Sequence, residues 1–204
     1  MGLFSSTVSI TRYRVNGKGD QSVMETIGQG LKKNQIVDID HTPEEASVGW
    51  TTFENPFVPD FDTTSFIYGN LIVFSLRIDK KSIPAKLIKK RVILESARKL
   101  TEGEREYLSR NEKKEIKENV IHELMMKIPS TPNIYDIMWN YEENIVWFFS
   151  TQKSANEEFE TLFSKSFKMT LVRLFPYTIA DFSDYLSDSE KDRLSKLLPS
   201  SFME

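Results

Sequence analysis

The chain has 204 residues, 39% of them apolar and 28% charged, with a net charge of −3 and no cysteine. That length suits one large domain or two small ones with a sizeable core, and the composition argues against wholesale disorder. Without cysteine there are no disulfides, thiolate metal sites or cysteine nucleophiles, which fits a reducing cytoplasm.

The N-terminus lacks the charged and apolar regions of a secretory signal, and no apolar run approaches the roughly 20 residues that span a bilayer. Met1-Gly2 with Ser6 matches the short N-myristoylation pattern, although an apolar first strand explains the same residues. Residues 8–15 alternate as a strand, and Asn16-Gly17-Lys18-Gly19 supplies turn chemistry. Asp20 is the expected N-cap of a helix reaching Lys33, with Val23, Met24, Ile27 and Leu31 at helical spacing. Gly28 and Gly30 weaken its second half. Residues 47–53 read as a short strand around Trp50, and 54–64, with Pro56 and Pro59, as a loop. Residues 68–78 are largely apolar on both faces, which suits a central strand.

Ser82-Ile83-Pro84 opens a helix, with Pro84 placed near its first turn. Ile83, Leu87, Leu94 and Ala97 share one face; Ile88 and Val92 form a second apolar strip. Thr101 with Glu104 has the spacing of a capping box, so a second helix is expected over 102–127. Its apolar seam is Val120, Ile121, Leu124 and Ile128. The pair reads as a helical hairpin projecting from a sheet and ended by Pro129 and Pro132. Strands over 134–141 and 145–150 then form a hairpin about Glu142-Glu143-Asn144. A helix over 154–166, a strand over 169–175 and a helix over 187–198 complete the chain.

The element order is β-α-β-β, a helical hairpin, then β-β-α-β. The fold class is therefore α+β: two similar lobes with antiparallel sheets, whether or not they share one layered core. The expected organisation is a first lobe over 1–80, the hairpin tip over 81–128, a second lobe over 129–176 and a C-terminal tail over 177–204.

Charge is distributed unevenly. Residues 80–99 carry Lys80, Lys81, Lys86, Lys89, Lys90, Arg91, Arg98 and Lys99 against the single acid Glu95, a balance of +7. The remaining residues balance at −10. Lys86, Lys89 and Lys90 share a helical face, and Arg91 and Arg98 lie seven residues apart on another. Such a strip attracts a polyanion locally and suits phosphates rather than base edges. A solvated helix face is the competing reading.

Enzymatic chemistry finds little support. His122-Glu123 begins a zinc-protease motif, but the second histidine it requires is Met126. Asp38, Asp40 and His41 read as a polar turn more readily than as a hard-cation site. Asp38, Asp40, Asp79 and Asp136 have no spacing that predicts a metal-dependent nuclease. There is no phosphate-binding glycine loop and no serine elbow. No cofactor is expected.

Several passages nevertheless resemble the recombination-associated RdgC family. Arg77-Ile78-Asp79-Lys80-Lys81-Ser82-Ile83-Pro84 with the basic helix after it is similar to that family's lysine-x-x-Pro passage. Arg98-Lys99-Leu100, Glu112-Lys113, Ile116-Lys117 and Val120-Ile121-His122-Glu123-Leu124 resemble its next region. Met138-Trp139 with Ile145-Val146-Trp147, then Ser154-Ala155 with Glu157-Glu158 and Leu162, resemble its hairpin and following helix. Val48-Gly49-Trp50 is similar to its MGWV. The likeness runs in order over roughly residues 3–175.

The resemblance implies paired α+β lobes with a helical tip, and a homodimer closing a ring around duplex DNA. It also implies sequence-independent binding that limits a recombinase filament, in a cytoplasmic, nucleoid-associated protein with no membrane contact. The chain departs from the family where Lys127-Ile128-Pro129-Ser130-Thr131-Pro132 replaces LPRAFSR. The tail acids Asp181, Asp184, Asp188 and Glu190 would repel phosphate. Family members usually continue past this C-terminus, so a shortened relative is expected.

The expected function is non-enzymatic DNA binding through Lys86, Lys89, Lys90, Arg91, Arg98 and Lys99, with double-stranded DNA as partner. The alternative is a homo-oligomeric or partner-binding module with contacts at Ile88, Val92, Val120 and Leu124. An exonuclease is the third and weakest reading, although the family carries that label.

Overall fold

In the computed structural model, which describes residues 2–17, 23–183 and 185–197, all ladder pairings between strands are antiparallel. The elements are β1 (Thr11–Asn16), α1 (Val23–Lys33), β2 (Ala46–Thr51), β3 (Ile67–Tyr68), β4 (Leu71–Lys80), α2 (Ala85–Glu102) and α3 (Arg110–Lys127). They continue with β5 (Thr131–Asn140), β6 (Ile145–Phe148), α4 (Lys153–Phe167), β7 (Thr170–Arg173), α5 (Pro176–Asp181) and α6 (Asp188–Ser195). The fold is mixed α+β. Asp20, Lys18, Gly19, Asp184 and Leu198 lie outside the described residues.

One sheet holds all the strands, in the order β2-β4-β5-β6-β1-β7, with β3 on β4 beyond the end of β2. β1 pairs with β6 on one side and β7 on the other. Strands from 1–80 and from 129–176 thus belong to a single layered core. β4 is interior, buried along nearly its whole length, as its two apolar faces suggest.

Strand alternation decides what each face meets. Ile72, Phe74, Leu76 and Ile78 of β4 point with Ile137, Trp139, Val146 and Phe148 towards α1 and α4. Aromatic rings dominate this layer. Phe148 stacks on Phe159 at 4.5 Å, and Trp50 stacks on Phe167 at 5.8 Å while its Nε1 donates to Ser166 Oγ. Two glycines permit close approach. A Cβ on Gly49 would lie 2.4 Å from the Ile36 backbone, and one on Gly30 would lie 2.7 Å from the Ser166 carbonyl oxygen. Gly30 therefore trades helix propensity for tight α1–α4 packing.

The hairpin differs locally from its expectation. Pro84 is the N-cap of α2, beside the first turn as expected. Thr101 and Glu104 do not form a capping box, because α2 runs through Thr101, whose hydroxyl donates to the Ala97 carbonyl. The box forms instead between Ser109 and Glu112, which exchange backbone and side-chain hydrogen bonds at the start of α3. Thr101-x-x-Glu104 and Ser109-x-x-Glu112 have the same spacing, so spacing alone cannot choose between them. α5, begun by Pro176, had no expected counterpart.

Candidate nucleic-acid interface

α2 buries none of its residues fully. Its inner side packs on α3 through Leu87, Ile88 and Val92, which meet Ile116, Val120 and Leu124. The outer side is left to solvent. Positions 86, 89, 90, 93 and 94 fall on that side, so Lys86, Lys89 and Lys90 flank Ile93 and Leu94 around a shallow depression. Arg91 is exposed one position further round the helix.

Lys86, Lys89, Lys90 and Arg91 have no ion-pair partner among the described residues. The two cations at the far end of α2 differ. Arg98 lies 3.3 Å from both Glu95 and Glu102, and Lys99 lies 4.0 Å from Glu115 of α3. Local acids thus partly cancel the C-terminal half of the strip. Lys81 is removed from it altogether: it is 7% exposed and donates to two backbone carbonyls.

Lys117 joins the surface from α3. It lines a second depression with Ala85, Ile88, Lys89, Val92 and Ile93. Sequence reasoning missed it because it lies outside the basic run. The antiparallel register of a helical hairpin, which brings 117 opposite 89–92, was the available signal. The cationic face is therefore Lys86, Lys89, Lys90 and Lys117, with Arg91 exposed on another side of α2.

The apolar contact expected at Ile88, Val92, Val120 and Leu124 needs correction. Val120 and Leu124 are buried in the hairpin's own core, and Ile88 and Val92 pack against them. An isolated helix pair must bury its seam internally, so Val120 and Leu124 are committed before any partner arrives, while Ile88 and Val92 stay half-buried beside Lys117. On the outer side of α2 the exposed apolar groups are Ile93 and Leu94, 58% and 53% exposed.

The carboxylates considered for a metal site have separate local partners. Asp38 accepts from the Asp40 amide, and Asp40 from the Ser130 amide. Asp79 is fully buried in a two-bond pair with Arg77, at 2.8 and 2.6 Å. Asp136 accepts from Ser75 Oγ and the Leu3 amide. No group of three or more potential ligands converges among the described residues. His122 sits on the exposed side of α3. No helix among the described residues is long and apolar enough to cross a membrane.

A surface of this kind can attach to closely spaced anionic oxygens but has no fixed set of donors for reading base edges. No curated protein matches the chain. Residues 9–189 match the family described as "Putative exonuclease, RdgC", so the chain belongs to the RdgC family.

Proposed function

We propose that this member of the recombination-associated RdgC family binds double-stranded DNA without reading its sequence, by contacts from the hairpin to phosphates. The observation that carries the reading is the outer face of α2. Three exposed cations there, Lys86, Lys89 and Lys90, and Arg91 on another side of the helix have no carboxylate in ion-pair reach among the described residues, and Lys117 extends the face from α3. On an otherwise acidic chain, this patch would draw a polyanion to one place. Arg98 and Lys99 play a smaller part because Glu95, Glu102 and Glu115 already hold them.

The protein acts in this reading as a nucleoid-associated homodimer that opposes a recombinase filament by occupying its duplex. The reading assigns it attachment to DNA rather than catalysis. Binding should weaken with salt by about 0.9 in log K per unit of log salt for each phosphate neutralised. Reversing charge at Lys86, Lys89 and Lys90 together should flatten that slope by about two to three units for each protomer that contacts the duplex. An unchanged slope with an unchanged affinity would remove the hairpin from the interface.

One observation favours a second reading, a homo-oligomeric or partner-binding module. Ile93 and Leu94 are large apolar side chains left uncovered among the lysines. Sedimentation at low salt with and without duplex separates the two. Self-association that Ile93→Ser abolishes, with no shift on adding DNA, would favour the module.

A further inference from the structure

The hairpin joins the body through two short segments, 81–84 and 128–130, between β4 and β5. Its apolar cluster shares no residue with the body core. Two connections and a separate core leave the direction of a helix pair weakly determined unless something else holds it.

The α3 exit has a specific deficit. In a continuing helix the Met125 carbonyl would accept from the backbone N–H of residue 129, but that residue is Pro129, which has none. Ile128 is already extended, at φ −85° and ψ 128°. The Met125 carbonyl is nevertheless satisfied. Lys81 Nζ reaches it at 2.8 Å and reaches the Thr42 carbonyl, also at 2.8 Å. The ammonium thus replaces the missing donor and sits at the negative end of the α3 dipole.

The third participant is the loop between α1 and β2, which meets one hairpin connection through its backbone and the other through a side chain. The Lys81 amide donates to the Glu45 carbonyl at 2.8 Å, and the Ser130 amide donates to Asp40 Oδ1 at 2.7 Å. The loop is itself braced: the Asp40 amide donates to Asp38 Oδ1, and the Thr42 amide and hydroxyl donate to the Ile39 carbonyl. The hydrogen bonds from Ser130, then the positive charge of Lys81, hold the Asp40 carboxyl below the ordinary carboxylate range.

We infer that Lys81 and Asp40 form a polar clamp through which loop 38–45 sets the direction of the helical hairpin relative to the sheet. The clamp has three points: Lys81 to the α3 C-terminus, Lys81 to the loop, and Asp40 to the entry of β5. Lys81 is a positioning residue, not a ligand-binding one, although it lies within the basic run. The inference does not rest on DNA binding, because no nucleic acid takes part in its contacts.

The absence of cysteine allows the test in the full chain. Spin labels at Tyr107→Cys in the exposed α2–α3 turn and Glu143→Cys in the exposed β5–β6 turn report the hairpin-to-body distance by pulsed electron resonance. Lys81→Met, which keeps the apolar stem, should broaden or shift that distribution. Asp40→Ala should do the same and speed exchange of the Ser130 amide about fivefold or more. Glu123→Gln on the exposed side of α3 is the control and should superpose on the parent. Near-UV signal from Trp50 and Trp139 reports whether the body remains folded. If Lys81→Met fails to fold, Asp40→Ala alone decides the matter. A folded variant whose distances match the parent would overturn the clamp.

Discussion

The body and the hairpin bury apolar surface in contrasting ways. Beneath the sheet, Trp50, Phe74, Trp139, Phe148, Phe159, Phe163 and Phe167 are almost completely hidden and touch one another ring to ring. In the hairpin, only Ile116, Val120 and Leu124 are buried between the helices, and every neighbour packed on them is partly open to water. A large aromatic ring supplies more contact area than an aliphatic side chain, and a shared sheet gathers such rings from distant parts of the chain. A helix pair with one face in solvent cannot do so. It is therefore cheap to build from local sequence but depends on its connections for direction, while its outer surface stays available for charge.

The sharpest contrast should appear in stability. Phe159→Ala removes a ring that touches Tyr13, Trp50, Phe148 and Phe163, and should cost about 3–5 kcal/mol in global urea unfolding. Leu124→Ala should cost less, about 2 kcal/mol, and appear mainly as faster amide exchange in α2 and α3 with the body amides unaffected. If both regions lose protection together under Leu124→Ala, the hairpin is not a separate unit and the contrast fails.

The smallest effect concerns the two arginines of α2, and it rests on the proposed DNA contact. Neither Arg91→Gln nor Arg98→Gln should change stability by more than about 1 kcal/mol, since exposed ion pairs contribute little. In the salt dependence of DNA binding they should separate. Arg91→Gln should reduce the slope by about 0.9 per protomer, while Arg98→Gln, already shared between Glu95 and Glu102, should leave it nearly unchanged. Equal slopes would mean that the intrahelical acids do not set which cations reach phosphate.

Much of the outline was readable in advance for reasons that are local. Two-residue alternation in 71–78, prolines at 84, 129 and 132, and the Asn144 turn each act within a few positions of themselves. The family resemblance drew on ordered short motifs of the same kind. The capping error was local too: two stretches of equal spacing competed, and the continuation of α2 through Thr101 decided between them. The candidate site was only half legible, since helical spacing identified Lys86, Lys89 and Lys90 as one face but said nothing of acids brought near from another helix.

By itself, then, the order of residues determined the longer elements, the insertion of a basic helical pair between two strands, and the kinship of the chain, but not the short β3 and α5. Tertiary structure alone decided that β1 lies between β6 and β7, that Lys99 faces Glu115, and that Val120 and Leu124 are spent inside the hairpin. It also turned Lys81 from a surface cation into a buried donor for a carbonyl that Pro129 cannot serve. The physical reason is range. Backbone preference and periodicity act over a few neighbours, whereas charge pairing, burial and the supply of a missing donor depend on groups 16 to 44 residues apart being folded into contact.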